Sequence, residues 1–303
     1  MQTLIQDLTA IVGEENTHVN EVLSAHTTFK IGGPADVLVE PSSVDQIRAV
    51  LDACRKANVT VRFLGFGSNV LACDEGVCGV VLKLAGRFSA IEVDGTYVTC
   101  QAGASNEEVA LAAMRAGLAG YEFASGIPGT IGGAAIMNAG AYGGEFKGVA
   151  VSVDCITPEG ALVEVAAQDA DWGYRHSMMM DRGFLVVGAK LRLEKDDPDA
   201  IFGRMEDLRI RREEKQPLEM PSAGSTFKRP EGYFAGKLIQ DAGMQGYRVG
   251  GAQVSEKHAG FVVNAGGATA KDVRTLIADV QRSVFDKEGV RLEPEVRMWG
   301  FGD

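Results

Sequence analysis

Apolar residues at positions 4, 5, 8 and 11 recur at helical spacing, which predicts an opening amphipathic helix with Leu4, Ile5, Leu8 and Ile11 on one face. Residues 36–40 then read as a strand. Pro41-Ser-Ser-Val-Asp starts a helix capped by Ser42 or Ser43, with Val44, Ile47, Val50, Leu51 and Cys54 on its buried face. Strands are predicted over 59–64 and 77–84, and Asp94-Gly95 between two alternating runs marks a hairpin. Residues 106–116 have a helical period, 149–165 form a second hairpin turning at Pro158-Glu-Gly160, and 184–193 read as a strand. A long charged helix over 198–215 then leads into a C-terminal unit. That unit holds a polar loop around Ser225, a short helix at 235–241, strands at 252–254 and 261–264, a long helix at 269–287 and a final strand. No internal repeat or low-complexity segment interrupts the pattern.

The length of 303 residues exceeds one ordinary core and predicts two or three domains, and 46% hydrophobic residues with mixed charge describe a globular chain. No apolar run approaches the ~20 residues of a membrane span, and no basic region precedes an apolar stretch at the N-terminus, so a secretory signal is not expected. The net charge of −11 argues against nucleic acid as a partner. Local cations still allow an anionic small molecule: Arg204, Arg209, Arg211, Arg212 and Lys215 precede Ser225, and Lys228 and Arg229 follow it. Any one of the first group, alone, reads as part of a solvated helix face. The five cysteines have no two-residue gap between any pair, so no metal site is expected, and free thiols in a reducing cytoplasm are.

Glycine is in excess: 38 residues, crowded into 65–67, 126–144 and 243–267. Gly65-Phe-Gly-Ser-Asn69 is not a dinucleotide fingerprint, because the third glycine is missing and a strand-like segment follows instead of a helix. A tight glycine turn still offers successive N–H groups to a phosphate. The stretch 124–143 is apolar, nearly uncharged and glycine-rich, and is expected to be a long loop without regular structure, a type that is usually functional. Apolar side chains and bare backbone suit a flat heteroaromatic cofactor with a pyrophosphate tail. Two further segments carry reactive groups. Pro221-Ser-Ala-Gly-Ser-Thr-Phe-Lys-Arg-Pro230 holds a hydroxyl in a loop expected to be rigid, and Leu292-Glu-Pro-Glu-Val-Arg297 brackets a proline with two carboxylates.

These segments, with Asn138-Ala-Gly-Ala-Tyr-Gly143 and Tyr174-Arg175, occur in an order that resembles the UDP-N-acetylenolpyruvoylglucosamine reductase family of bacterial peptidoglycan synthesis, from about Thr27 to Trp299. The resemblance implies an α+β chain. A vanillyl-alcohol-oxidase or PCMH-type FAD-binding fold would occupy two α/β subdomains, 1–85 and 86–197, and a substrate-binding domain 198–303, with the final strand returning to the FAD part. It implies non-covalent FAD reduced by NADPH, a UDP-sugar substrate, a cytoplasmic enzyme, and a monomer or weak dimer. Flavin binding would fall to Gly65, Phe66, Gly67, Ser68 and Asn69, and to Ile127, Pro128, Gly129, Thr130, Gly132 and Gly133. Arg175 matches the arginine at the substrate carboxylate, Ser225 the proton donor and Glu295 the second catalytic carboxylate. Tyr142, Lys215, Lys228, Arg229 and His258 match substrate-side positions. Arg229 stands where some relatives have asparagine, and the short interval from Arg175 to Ser225 resembles the shorter, type II subclass, which lacks a tyrosine-bearing insertion.

The chemistry agrees with these residues. Hydride addition to an enolpyruvyl ether builds negative charge beside a carboxylate, which a bidentate arginine stabilises. Serine is a weak acid, so Ser225 is expected to need a nearby cation such as Lys228 or a preorganised hydrogen bond. Two other readings remain at this point. One is another flavin oxidoreductase of the same fold. Many of these attach flavin through a histidine beside the first glycine loop, and His18, His26, His176 and His258 all lie elsewhere in sequence. The other is a UDP-sugar-binding relative without catalysis, which the Arg, Ser and Glu set disfavours.

Overall fold

A computed structural model describes residues 1–302. Its chain groups into two compact units built from discontinuous segments, 1–18, 37–66 and 79–211 in the first, and 19–36, 67–78 and 212 onward in the second.

The first unit is organised on a five-stranded antiparallel sheet, in the order Leu162–Ala166, Ala150–Ile156, Leu185–Arg192, Tyr97–Gln101 and Ile91–Asp94. Alternate residues point inward. Val98, Cys100, Val153, Cys155, Val187, Ala189 and Leu191 are buried, and each fully buried Val or Leu contributes about 1.5–3 kcal/mol. Both predicted hairpins form, one pairing Asp94 with Tyr97 and the other Ile156 with Leu162. Helix Gln2–Val12 buries Leu4, Leu8 and Val12, leaving Ile5 and Ile11 at the edge of the stripe. It is tied to helix Val44–Lys56 by the Gln46 side chain, which donates to Ile11 O. Of the two expected caps, Ser43 takes the role and accepts the Gln46 N–H. Helix Asn106–Arg115 starts on a capping box of Ser105 and Glu108. Val61–Leu64 pairs in parallel with Val77–Lys83.

The stretch 124–143 differs from expectation, because it contains helix Ile131–Met137, and a tight pair, Gly140–Ala141 with Gly144–Glu145, follows. Two glycines in its first turn disfavour a helix. Tertiary bonds override them: Thr130 caps the helix, Ile131 N–H donates to Ala104 O and Gly132 N–H to Ala102 O, while Ala134 and Ala135 are buried.

The second unit has a four-stranded antiparallel sheet, Ser222–Ser225, Phe261–Asn264, Ala252–Val254 and Arg248–Val249, with helices Ala235–Asp241 and Ala270–Glu288. Ala270–Glu288 buries Val273, Leu276, Ile277, Val280 and Val284. Its N-terminal donors are all satisfied. Thr269 and Asp272 form a capping box, and the Asp74 carboxylate accepts the N–H groups of Ala270 (2.8 Å) and Lys271 (3.0 Å). The final strand, Arg297–Trp299, pairs in parallel with Val70–Ala72. The last point at which the chain passes from one unit to the other falls inside helix Pro198–Lys215, between Arg211 and Arg212.

Candidate active site

In the first unit, helix Ile131–Met137 and the turn carrying Arg175 form one braced body. Trp172 Nε1 donates to Ala135 O at 2.8 Å and Ser177 Oγ to Ile136 O at 2.8 Å, so side chains on either side of the turn satisfy carbonyls near the helix end. Gly173 and His176 close the turn by an antiparallel bridge, which leaves Tyr174 and Arg175 at its tip. Asn138, the helix C-cap at φ 43°, donates to Gly173 O and to the Glu145 carboxylate, while its own Oδ1 accepts Lys147 N–H. Arg175 itself is held at φ 54°, a conformation that costs an ordinary residue about 1–2 kcal/mol. Its guanidinium lies 5.0 Å from the Tyr174 ring centre and donates to Gly140 O at 3.4 Å. Glu145 is held below the usual carboxylate range, first by the hydrogen bond from Lys147, then by Asn138, with the Arg175 charge adding. Tyr142, half exposed, tips the neighbouring tight turn at φ 53°.

The glycines of this unit differ in what they face. A Cβ on Gly65 would meet Thr130 Oγ1 at 2.5 Å, so the first glycine turn is pressed against the cap of the helix. A Cβ on Gly133 would meet nothing closer than Thr130 Oγ1 at 3.8 Å, and Gly133 is exposed. The chain's own packing does not require glycine there, whereas a ligand lying against the backbone would.

In the second unit, Ser225 closes its strand just after a register shift, at Gly224 (φ 74°), and its side chain is exposed. Such a bulge re-aims a side chain out of the ladder. The next residue, Thr226, is buried and fixed: its N–H donates to Gly260 O and its Oγ1 accepts Val262 N–H. Thr226 O accepts the Glu295 N–H at 2.8 Å, Phe227 bridges to Pro294, and Lys228 N–H donates to Glu293 O. The two reactive segments therefore run side by side. The Lys228 ammonium, the cation expected beside Ser225, pairs with Glu293. Arg229 stacks 3.9 Å over Phe234 and donates to Tyr233 O. His258 accepts Gly260 N–H on Nδ1, and burial pushes its imidazole below the ordinary histidine pKa. Lys215 is exposed at the end of its helix. Gly67, Ser68 and Asn69 belong to this unit. A Cβ on Gly67 would lie 2.3 Å from His26 O, so this glycine is required by the chain's own backbone.

Two family models match the chain, one described as "FAD binding domain" over residues 35–166 and one as "UDP-N-acetylenolpyruvoylglucosamine reductase, C-terminal domain" over residues 216–299. A relative named UDP-N-acetylenolpyruvoylglucosamine reductase, from Lachnoclostridium phytofermentans, is 49% identical over 301 residues, covering 98% of this chain and 97% of its own. The chain belongs to the UDP-N-acetylenolpyruvoylglucosamine reductase family. A second reductase of that name, from Clostridioides difficile, is 45% identical over 299 residues, covering 99% of this chain and 98% of its own. Among solved structures, the reductase (MurB) of Thermus caldophilus superposes with a TM-score of 0.80 at 35% identity, over 93% of this chain and 98% of its own. An alkyldihydroxyacetonephosphate synthase, at 18% identity, TM-score 0.51 and 64% of this chain against 40% of its own, shares the fold alone. The α+β, PCMH-type FAD-binding fold implied by the resemblance is thus the fold of this chain.

The residues present fit FAD: an exposed, side-chain-free position at Gly133 in the first turn of the helix, and a second glycine turn packed on Thr130. Sequence reasoning missed Asn138, which braces the Arg175 turn, and Asp74, which anchors the segment after Asn69. Asn138 stood inside a quoted motif, and its left-handed conformation is one that asparagine adopts more readily than most residues. Asp74 carried no local signal, since its partners lie almost 200 positions away.

Proposed function

We propose that this family member uses Ser225, Glu295 and Arg175 to reduce the enolpyruvyl group of UDP-N-acetylglucosamine enolpyruvate to UDP-N-acetylmuramate. It does so with NADPH, in peptidoglycan synthesis. Non-covalent FAD, when bound, supplies a two-electron carrier between NADPH and the double bond. The loops 65–69 and 127–133 would hold it, with Gly133 against the cofactor. Arg175 binds the substrate carboxylate, and its fixed turn places the fork without reorganisation. Ser225 Oγ gives a proton to the carbon that becomes carbanionic, and Glu295 restores or relays that proton. Tyr142, Lys215, Lys228, Arg229 and His258 line the substrate side. Residues 1–85 and 86–197 would divide the FAD-binding fold and 198–303 would carry the substrate domain. A reducing cytoplasm fits the five free cysteines, and the chain would act there as a monomer or weak dimer. Among the described residues no helix is long and apolar enough to cross a membrane.

The observation that carries the reading is the exposed Ser225 hydroxyl beside Thr226, whose carbonyl holds the Glu295 peptide. The test is anaerobic mixing with NADPH and then with the enolpyruvyl substrate. Ser225→Ala should keep NADPH-driven bleaching and slow reoxidation about 10²–10⁴-fold, the usual weight of a general acid. Arg175→Lys keeps charge but loses the planar fork, and should slow reoxidation without slowing bleaching. Wild-type reoxidation in Ser225→Ala would remove Ser225 from the mechanism. Acid should release all flavin as FAD. Colour retained by the precipitate would point to covalent attachment, with His26, whose backbone meets Gly67, as the first candidate.

A further inference from the structure

Glu295 lies outside any regular ladder, between the bridge at Pro294 and the strand that starts at Arg297. A carboxylate that must meet a substrate atom to within a fraction of an ångström needs its backbone fixed. Two hydrogen bonds hold its peptide. Thr226 O accepts the Glu295 N–H at 2.8 Å, and the Asn69 side chain donates Nδ2–H to Glu295 O at 3.2 Å. Asn69 also accepts Arg297 N–H on its own carbonyl at 2.9 Å. Side chain and main chain of Asn69 thus bracket residues 295–297 as a two-point clamp. The amide must present nitrogen to Glu295, because a backbone carbonyl only accepts.

We propose that the Asn69 side chain is a positioning residue for Glu295, and that its place at the end of the 65–69 turn serves proton delivery and not the cofactor. On this reading the flavin is held at that turn by residues 65–68 and not by the Asn69 side chain. The inference rests on the reading of Glu295 as a proton-handling group. Asparagine suits the task by shape and by donor. Aspartate has the same shape, but its ionised carboxylate has no proton to give and would face a carbonyl oxygen.

The experiment compares Asn69→Asp, Asn69→Ala, Glu295→Gln and the double variant Asn69→Asp/Glu295→Gln. Three quantities are read: fluorescence titration of each apoprotein with FAD, bleaching by NADPH, and reoxidation by the enolpyruvyl substrate at saturating FAD between pH 5 and 8. FAD affinity and bleaching should stay close to wild type in both Asn69 variants. Reoxidation should slow by about 10- to 100-fold at saturating substrate, the scale of a misplaced catalytic group, with the half-saturating substrate concentration little changed. The deficit of Asn69→Asp should shrink toward low pH, as its carboxyl regains an O–H donor, and that of Asn69→Ala should not. The double variant should be no slower than Glu295→Gln. Weakened FAD affinity with normal reoxidation at saturating FAD would assign the side chain to the cofactor and overturn the inference. Slow Glu295→Gln with wild-type Asn69→Asp would overturn the inference alone. Wild-type reoxidation in Glu295→Gln would overturn the reading of Glu295, and the inference with it.

Discussion

The glycine turn at 65–69 and the glycine-bearing start of helix Ile131–Met137 look alike in composition, yet the chain treats them differently. At Gly67 the space a side chain would occupy is filled by the backbone of His26 and Thr27, and the residue sits at φ 63°. At Gly133 that space is open, and the backbone is helical, so alanine would fit and would favour the helix. Glycine enrichment therefore has two causes in one protein. In the first turn it lets the chain approach itself, and in the second it leaves room for something else. Only the second kind reports a ligand directly. A Cβ on Gly67 would meet the chain's own backbone before it met any cofactor.

The largest effect should come from Gly67→Ala. The overlap with His26 O and the left-handed backbone together should cost about 3 kcal/mol or more, read as loss of folded apoprotein in urea. Wild-type stability there would erase the contrast. Next, Gly133→Leu should weaken FAD binding about 100-fold, roughly 2.7 kcal/mol, while the apoprotein melts as before. Gly133→Ala should stabilise the apoprotein by about 0.5–1 kcal/mol. A destabilised Gly133→Ala apoprotein with normal FAD affinity would make the two turns equivalent. Asp74→Ala should cost about 1–2 kcal/mol as the two N–H groups at 270 and 271 lose their acceptor. Faster hydrogen exchange there should accompany it, and unchanged exchange would mean that the anchor is idle. His258→Asn should have the smallest effect and touches neither turn. Burial lowers the folded-state pKa of His258. The unfolded chain therefore binds that proton first as the pH falls, so wild-type stability drops as acid is added below about pH 6.5. His258→Asn should flatten that limb of the apoprotein's stability curve. A steeper limb would contradict the burial of a neutral ring.

Much of this was legible before any coordinates. Helices with a marked apolar stripe and a cap, such as Val44–Lys56 on Ser43 and Ala270–Glu288 on Thr269, announce themselves locally. So did the Asp94-Gly95 hairpin and the reactive segments around Ser225 and Glu295. Helix Ile131–Met137 was not legible, because two glycines hide it and its first donors go to Ala104 and Ala102. The strands Val70–Ala72 and Arg297–Trp299 were legible, as a strand-like segment after Asn69 and a final strand, but their pairing was not, since nothing in either marks a partner more than 200 residues away. Motif order singled out Arg175 as a candidate. That the residue sits at a left-handed turn braced by Asn138 is a property of contacts, and no residue type encodes it alone.

That parallel pairing has a consequence for synthesis on the ribosome. Val70–Ala72 emerges early, while its partner strand follows after roughly 200 further residues, an interval of about 10–40 s at typical elongation rates. Until then its inner residue Leu71, fully buried in the finished protein, has no completed core to enter. For that interval the 67–78 segment keeps an unpaired strand edge, and the second unit cannot complete its fold until residues 297–299 have been made.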